Sequence, residues 1–204
     1  MSDNSTRAAG TLLLLSVPAL MAFEGKAVKD DDLRSVTSSV KINATPEKVW
    51  ENVITFPRLG EPTEFIFKTG IAYPIDATIK GSGVGAVRRC NFSTGSFVEP
   101  ITVWDEPRLL KFSVEEQPAP MKELSFHDVR PNHLHGYWIS KEGQFKLTKL
   151  RDGHTLLEGT TWYVNKILPG FYWTMWSDFI VHKIHNRVLQ HIKKKVEARE
   201  EYEK

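Results

Sequence analysis

The 204-residue chain has a single cysteine, Cys90, which excludes an internal disulfide framework and any zinc site built on cysteine alone. It also lacks an apolar run of the ~20 residues that a membrane span requires. The longest, Leu12 to Phe23, is short and is interrupted by Ser16 and Pro18. Charge of one sign is missing too: 27 Lys and Arg against 25 Asp and Glu leave a net +2. That balance speaks against a nucleic-acid partner, which needs a concentrated basic patch. No phosphate-cradling glycine loop is present, because Gly81-Ser82-Gly83-Val84-Gly85 leads into a strand and not a helix. Internal repeats are absent. A lone cysteine suits a reducing compartment, and the expected location is the cytoplasm.

What remains is an ordinary globular composition, 41% hydrophobic, 11% aromatic and 25% charged. A chain of this length can bury a core without staples. One domain is expected over residues 36–204, preceded by an apolar N-terminal arm and a polar linker over 1–35. The segment 11–23 has three open readings: an arm packed on the protein, a peripheral anchor at a membrane surface, or a signal peptide. Lys26 to Arg34, with three consecutive aspartates, reads as linker.

Val36 to Ile42 alternates as a strand does. Thr45-Pro46-Glu47 then supplies a helix start, with Thr45 as N-cap and Pro46 in the first turn. Val49, Trp50, Val53 and Ile54 repeat at helical spacing until Pro57, Gly60 and Pro62 end the pattern. From Ile71 to Val164 strands alternate with turn signals, among them Ser93-Thr94-Gly95, Asp105-Glu106-Pro107 and Asp152-Gly153. Residues 117–136, carrying three prolines, read as an irregular loop. From Pro169 the pattern is helical for about thirty residues. Strand, short helices, antiparallel meander and long final helix define an α+β domain, with that helix lying against a curved antiparallel sheet.

Strand parity assigns the faces. A four-residue loop at Ser93–Ser96 would pair Phe92 with Phe97, Cys90 with Glu99 and Arg88 with Ile101, all on the more apolar face. A loop at Asp105–Arg108 would add Leu110, Phe112 and Val114 on the face of Val103. A two-residue Asp152-Gly153 turn pairs Leu147 with Glu158 and turns Phe145, Leu156 and Trp162 inward. The same parity carried back turns His135, Tyr137 and Ile139 inward. On the last helix, Val181, Val188, Leu189 and Ile192 make an inner stripe. Asp178, His182 and His185 stand in one row on the same side.

The segment Asn43-Ala44-Thr45-Pro46-Glu47-Lys48-Val49-Trp50, following a strand and preceding a meander and a long helix, resembles the opening of the START-like (SRPBCC) superfamily of polyketide cyclases and lipid-binding proteins. The resemblance implies a helix-grip fold with a deep apolar cavity for a small hydrophobic ligand. Lipid, isoprenoid and polyketide-like molecules are the classes to consider, and no universal catalytic residue is implied.

Candidate ligand-binding residues are therefore Arg88, Cys90, Phe92, Phe97, Glu99, Ile101, Phe112, Tyr137, Glu158, Trp162, His182 and His185. A second reading makes the protein an acid–base enzyme, a cyclase, dehydratase or hydrolase, drawing on Glu99, Glu158, Asp178, His182 and His185. A third is that these polar groups satisfy each other, as Arg88 with Glu99 and Asp178 with His182 would. His182 and His185, three apart on a helix, are too weak a pattern to assign a metal, and no cofactor is expected. Cys90 reads as a small buried hydrophobe more readily than as a nucleophile.

Overall fold

The computed structural model describes residues 32–122 and 136–202. The apolar segment 11–23 and His135 lie outside them. Among the described residues seven strands run in chain order: β1 (Leu33–Ile42), β2 (Pro74–Lys80), β3 (Val87–Phe92), β4 (Gly95–Asp105), β5 (Leu109–Ser113), β6 (Trp138–Lys149) and β7 (Thr155–Asn165). Helices α1 (Pro46–Ile54) and α2 (Phe65–Lys68) sit between β1 and β2, and α3 (Gly170–Tyr202) closes the chain. The strands form one antiparallel sheet in the order β1-β7-β6-β5-β4-β3-β2. Only β1 is moved from its sequence place, to the free edge of β7, and α3 lies along β1 and β7 on the concave side.

The local signals act as their chemistry dictates. The α1 start is at Pro46 after an extended Thr45, although the Thr45 hydroxyl makes no capping bond to the backbone. It engages the Glu47 carboxylate instead, which lowers that group's pKa. Val49, Trp50 and Val53 are fully buried between the sheet and α3, where they meet Ile42, Leu110, Leu157, Leu189 and Ile192. Trp50 meets Trp104 edge-on at 5.7 Å. At the far end of α3 the Asn43 amide donates to Glu197 Oε1 at 2.9 Å, which ties the helix to the end of β1.

Turn lengths correct the expected registers. The β3–β4 hairpin turns on Ser93 and Thr94 alone and closes at Gly95, whose φ of 143° a side chain would resist. Arg88 therefore faces Glu99 directly, and Cys90 faces Phe97. This differs by two residues from a four-residue loop, so every side chain keeps its face. A bulge between Ile101 and Val103 then puts Val103 opposite Lys111 on the outer face and brings Trp104 in.

The β6–β7 turn is longer by one residue than the Asp-Gly signature implies. Leu150 and His154 close it by a backbone bond of 2.8 Å around Arg151, Asp152 and Gly153. One residue reverses a whole strand face. Leu147 pairs with Leu157 and Phe145 with Gly159, so Leu157, Gly159, Thr161 and Tyr163 point inward. Leu156, Glu158 and Trp162, expected inside, lie on the outer face. A second bulge, between Ser140 and Glu142, turns Trp138 and Ser140 in and Ile139 out, again reversing the expectation.

Candidate functional site

Between the concave face and α3 lies a cavity of about 700 Å³. Its walls are mostly apolar: Phe92, Phe97 and Phe112 from the sheet, Ile180, Ile184 and Val188 from the helix. Tyr137, Trp173 and Trp176 line it and are also exposed to solvent, so they mark its mouth. The aromatic start of α3 continues outward there, with Phe171, Tyr172, Met175 and Phe179 exposed.

Close approach shapes the cavity floor. A Cβ on Gly143 would stand 2.5 Å from Cε2 and Cζ of Phe112, so the bare backbone at this position lets the Phe112 ring lie flat against β6. Gly159 faces Leu189 and Phe145 with ordinary 3.7 Å spacing.

Two polar constellations interrupt the apolar wall. The first is Arg88 with Glu99, only 2% and 6% exposed, joined through Nη1 and Oε2. Arg88 Nε also donates to the Ile54 carbonyl at 3.3 Å. Its guanidinium stands 5.4–5.6 Å from the ring centres of Phe56, Phe112 and Phe145. Burial opposes the Arg88 charge, but Glu99 and Cys90 outweigh it and the net shift is upward. Burial raises the Glu99 carboxyl, and Arg88 offsets only part of that rise. A guanidinium does not give up its proton in proteins, so a neutral Glu99 would leave Arg88 buried with no countercharge, and the direct contact between the two favours the carboxylate. Cys90 beside them is pushed up to about 12, chiefly by burial. Such a thiol is no nucleophile at neutral pH.

The second constellation lies under α3. Ser38 Oγ is 2.7 Å from His182 Nδ1 and 3.2 Å from His185 Nδ1, and His185 Nε2 is 2.8 Å from Thr161 Oγ1. Burial, aided by His182, pushes the His185 pKa down to about 4, so its imidazole is neutral at pH 7. Asp178 does not bond His182. Its Oδ1 accepts from the Tyr163 hydroxyl at 2.6 Å, and its Oδ2 lies 3.8 Å from Arg34.

Of the candidates chosen from sequence, Arg88, Cys90, Phe92, Phe97, Glu99, Phe112, Tyr137 and His185 line the cavity. Four do not. Ile101 is sealed in the core; His182 is exposed at the β1 side of the helix. Glu158 and Trp162 are outside because of the longer β6–β7 turn, with Lys146 Nζ 3.9 Å from Glu158 and the Lys111 ammonium 5.1 Å above the Trp162 ring. Asp178 also stays out of the lining. Thr161, Trp138 and Ser38 escaped the sequence reading, the first two through register. Ser38 is a plain alternating position in β1 that nothing marks before α3 is placed on it. Among the described residues no three His, Cys, Asp or Glu side chains converge as metal ligands, and no helix is long and apolar enough to cross a membrane.

Neither a protein-family model nor a curated protein matches the sequence. Solved structures do match the fold. The Zhui aromatase/cyclase from Streptomyces sp. R1128 superposes with a TM-score of 0.53 at 14% identity, over 82% of this chain and 95% of that one. A structural-genomics protein from Nitrosospira multiformis gives 0.51 at 19% identity, over 81% and 99%. A point mutant of norcoclaurine synthase from Thalictrum flavum, in complex with a transition-state analogue, gives 0.50 at 13% identity, over 82% and 96%. These identities carry the architecture and nothing finer. A seven-stranded antiparallel sheet curled around a long final helix is the helix-grip fold, the architecture that the strand and Ala-Thr-Pro-Glu opening led one to expect.

Proposed function

We propose that this protein binds a small apolar or amphipathic molecule, of lipid, isoprenoid or polyketide-like type, in the cavity between sheet and α3. The observation that carries the reading is the cavity itself. About 700 Å³ of space walled by aromatic and aliphatic side chains falls within the range of small-molecule sites. The polar groups inside already have partners: Glu99 holds Arg88, and both nitrogens of His185 meet hydroxyls. Groups so committed shape and orient more readily than they shuttle protons, which favours a carrier or receptor over an enzyme.

Native mass spectrometry of the purified protein, joined to titration with the neutral naphthyl ketone Prodan, tests this. A co-purifying ligand or saturable, blue-shifted Prodan emission is expected, and Ile184→Trp, which fills the cavity, should abolish it. Empty protein together with no saturable Prodan signal would overturn the reading. The acid–base alternative keeps two of its five residues in the lining, Glu99 and His185. Its test is turnover of any co-purified ligand by the wild type and its loss in His185→Gln, whereas a carrier shows turnover in neither.

A further inference from the structure

Among the described residues that line the cavity, four carry a full charge, two of each sign: Arg88 and Lys166, Glu99 and Glu142. Glu142 is turned toward Lys111, 2.7 Å away, on the outer side of the sheet. Lys166 follows β7 directly, where its amide bonds Tyr137 at the mouth. The deep wall therefore holds one cation and one anion, in contact. The remaining polar lining groups, among them Ser140, Gln144, Thr160, Thr161, Ser177 and His185, are uncharged at neutral pH.

In the deep wall Arg88 is the cationic donor open to a ligand's acceptor, and it is not free to respond as a bare cation. Its Nε is held by the Ile54 carbonyl, Nη1 by Glu99, and three phenyl rings hem the guanidinium in. A carboxylate brought into contact with it would also approach Glu99, at the same short range and with like charge. Such an anion would lose its hydration in an apolar cavity and gain no net countercharge. A ketone, ester or hydroxyl oxygen loses far less on entering and still finds a donor.

We infer that the cavity selects uncharged molecules carrying a neutral hydrogen-bond acceptor and rejects carboxylates of the same shape, because Glu99 already balances Arg88. The inference rests on the binding role proposed above and names its ligand class. It makes Glu99 a specificity-determining residue: it need not touch the ligand to decide the ligand's charge.

The test displaces Prodan at neutral pH with two near-isosteres, methyl naphthyl ketone and naphthoate. In the wild type the ketone should displace at a concentration about tenfold lower or better, the equivalent of ~1.4 kcal/mol. Glu99→Gln unbalances Arg88, so naphthoate should improve about tenfold or more while the ketone moves little. The charge-free pair Arg88→Met with Glu99→Leu should keep the ketone preference, and it serves if Glu99→Gln fails to fold by circular dichroism. Naphthoate equal to ketone in the wild type overturns the selectivity, and an unchanged ratio in folded Glu99→Gln overturns its assignment to Glu99. Loss of the ketone preference in the charge-free pair overturns that assignment as well. Either failure leaves cavity binding intact, whereas absence of Prodan binding in the wild type removes the binding role itself.

Discussion

Acidification should strike this fold at His185. The imidazole is wedged between α3 and the sheet, with one nitrogen on Ser38 and the other on Thr161. One hydroxyl accepts and the other donates, an arrangement that only the neutral ring completes. Its pKa of about 4 lies below the ordinary 6.5, so the unfolded chain binds this proton more tightly than the native one does. This group's contribution to stability is therefore whole above about pH 6.5, falls as pH drops through the window, and is fully lost below about 4. A shift of roughly two and a half pH units corresponds to at most about 3 kcal/mol. That is a large share of a typical total of about 5–15 kcal/mol. Urea unfolding of wild type and His185→Gln at about pH 7.5 and about pH 4.5 measures it, because glutamine bonds both hydroxyls without titrating. The wild type should lose most of those 3 kcal/mol beyond whatever the variant loses. Parallel pH dependence in the two proteins, or a ring that titrates near 6.5 by NMR, would refute the argument.

Three further outcomes follow from other contacts. Arg88→Met strands Glu99 without its partner and should cost about 3–5 kcal/mol, whereas adding Glu99→Leu should recover most of it; equal instability of single and double variants in urea would contradict this. Gly143→Ala forces Phe112 out of its place and should cost about 1–3 kcal/mol with weakened Prodan binding, while Gly159→Ala should stay within about 1 kcal/mol, an order that thermal unfolding checks. Cys90 should resist iodoacetamide in the native protein and react fully in urea, since burial holds the thiol protonated; rapid native labelling would show the site to be open.

Facing depended on turns, and the turns differ in how plainly they are written. At Ser93-Thr94-Gly95 the expected loop was two residues too long, an even error that a period of two forgives. At Arg151-Asp152-Gly153 it was one residue too short, an odd error, and it moved Glu158 and Trp162 from the expected cavity to the outer surface. Nothing local separates a two-residue Asp-Gly turn from a three-residue turn ending in Gly153, because both use glycine at positive φ. Bulges at Ile101–Val103 and Ser140–Glu142 are likewise silent, being set by the curvature of the whole sheet.

Element order, the Thr45-Pro46 helix start, the inner stripe of α3 and the inward set on β3 and early β4 were thus determined by sequence alone, since each rests on periodicity within a few neighbouring residues. The binding of His185 between Ser38 and Thr161 was decided only by the tertiary structure. So were the exclusion of Asp178 and His182 from the cavity and the space that Gly143 leaves for Phe112. Each of these joins residues far apart in the chain, at distances set by curvature and helix placement, and hydrogen bonds and close contacts are decided within tenths of an ångström.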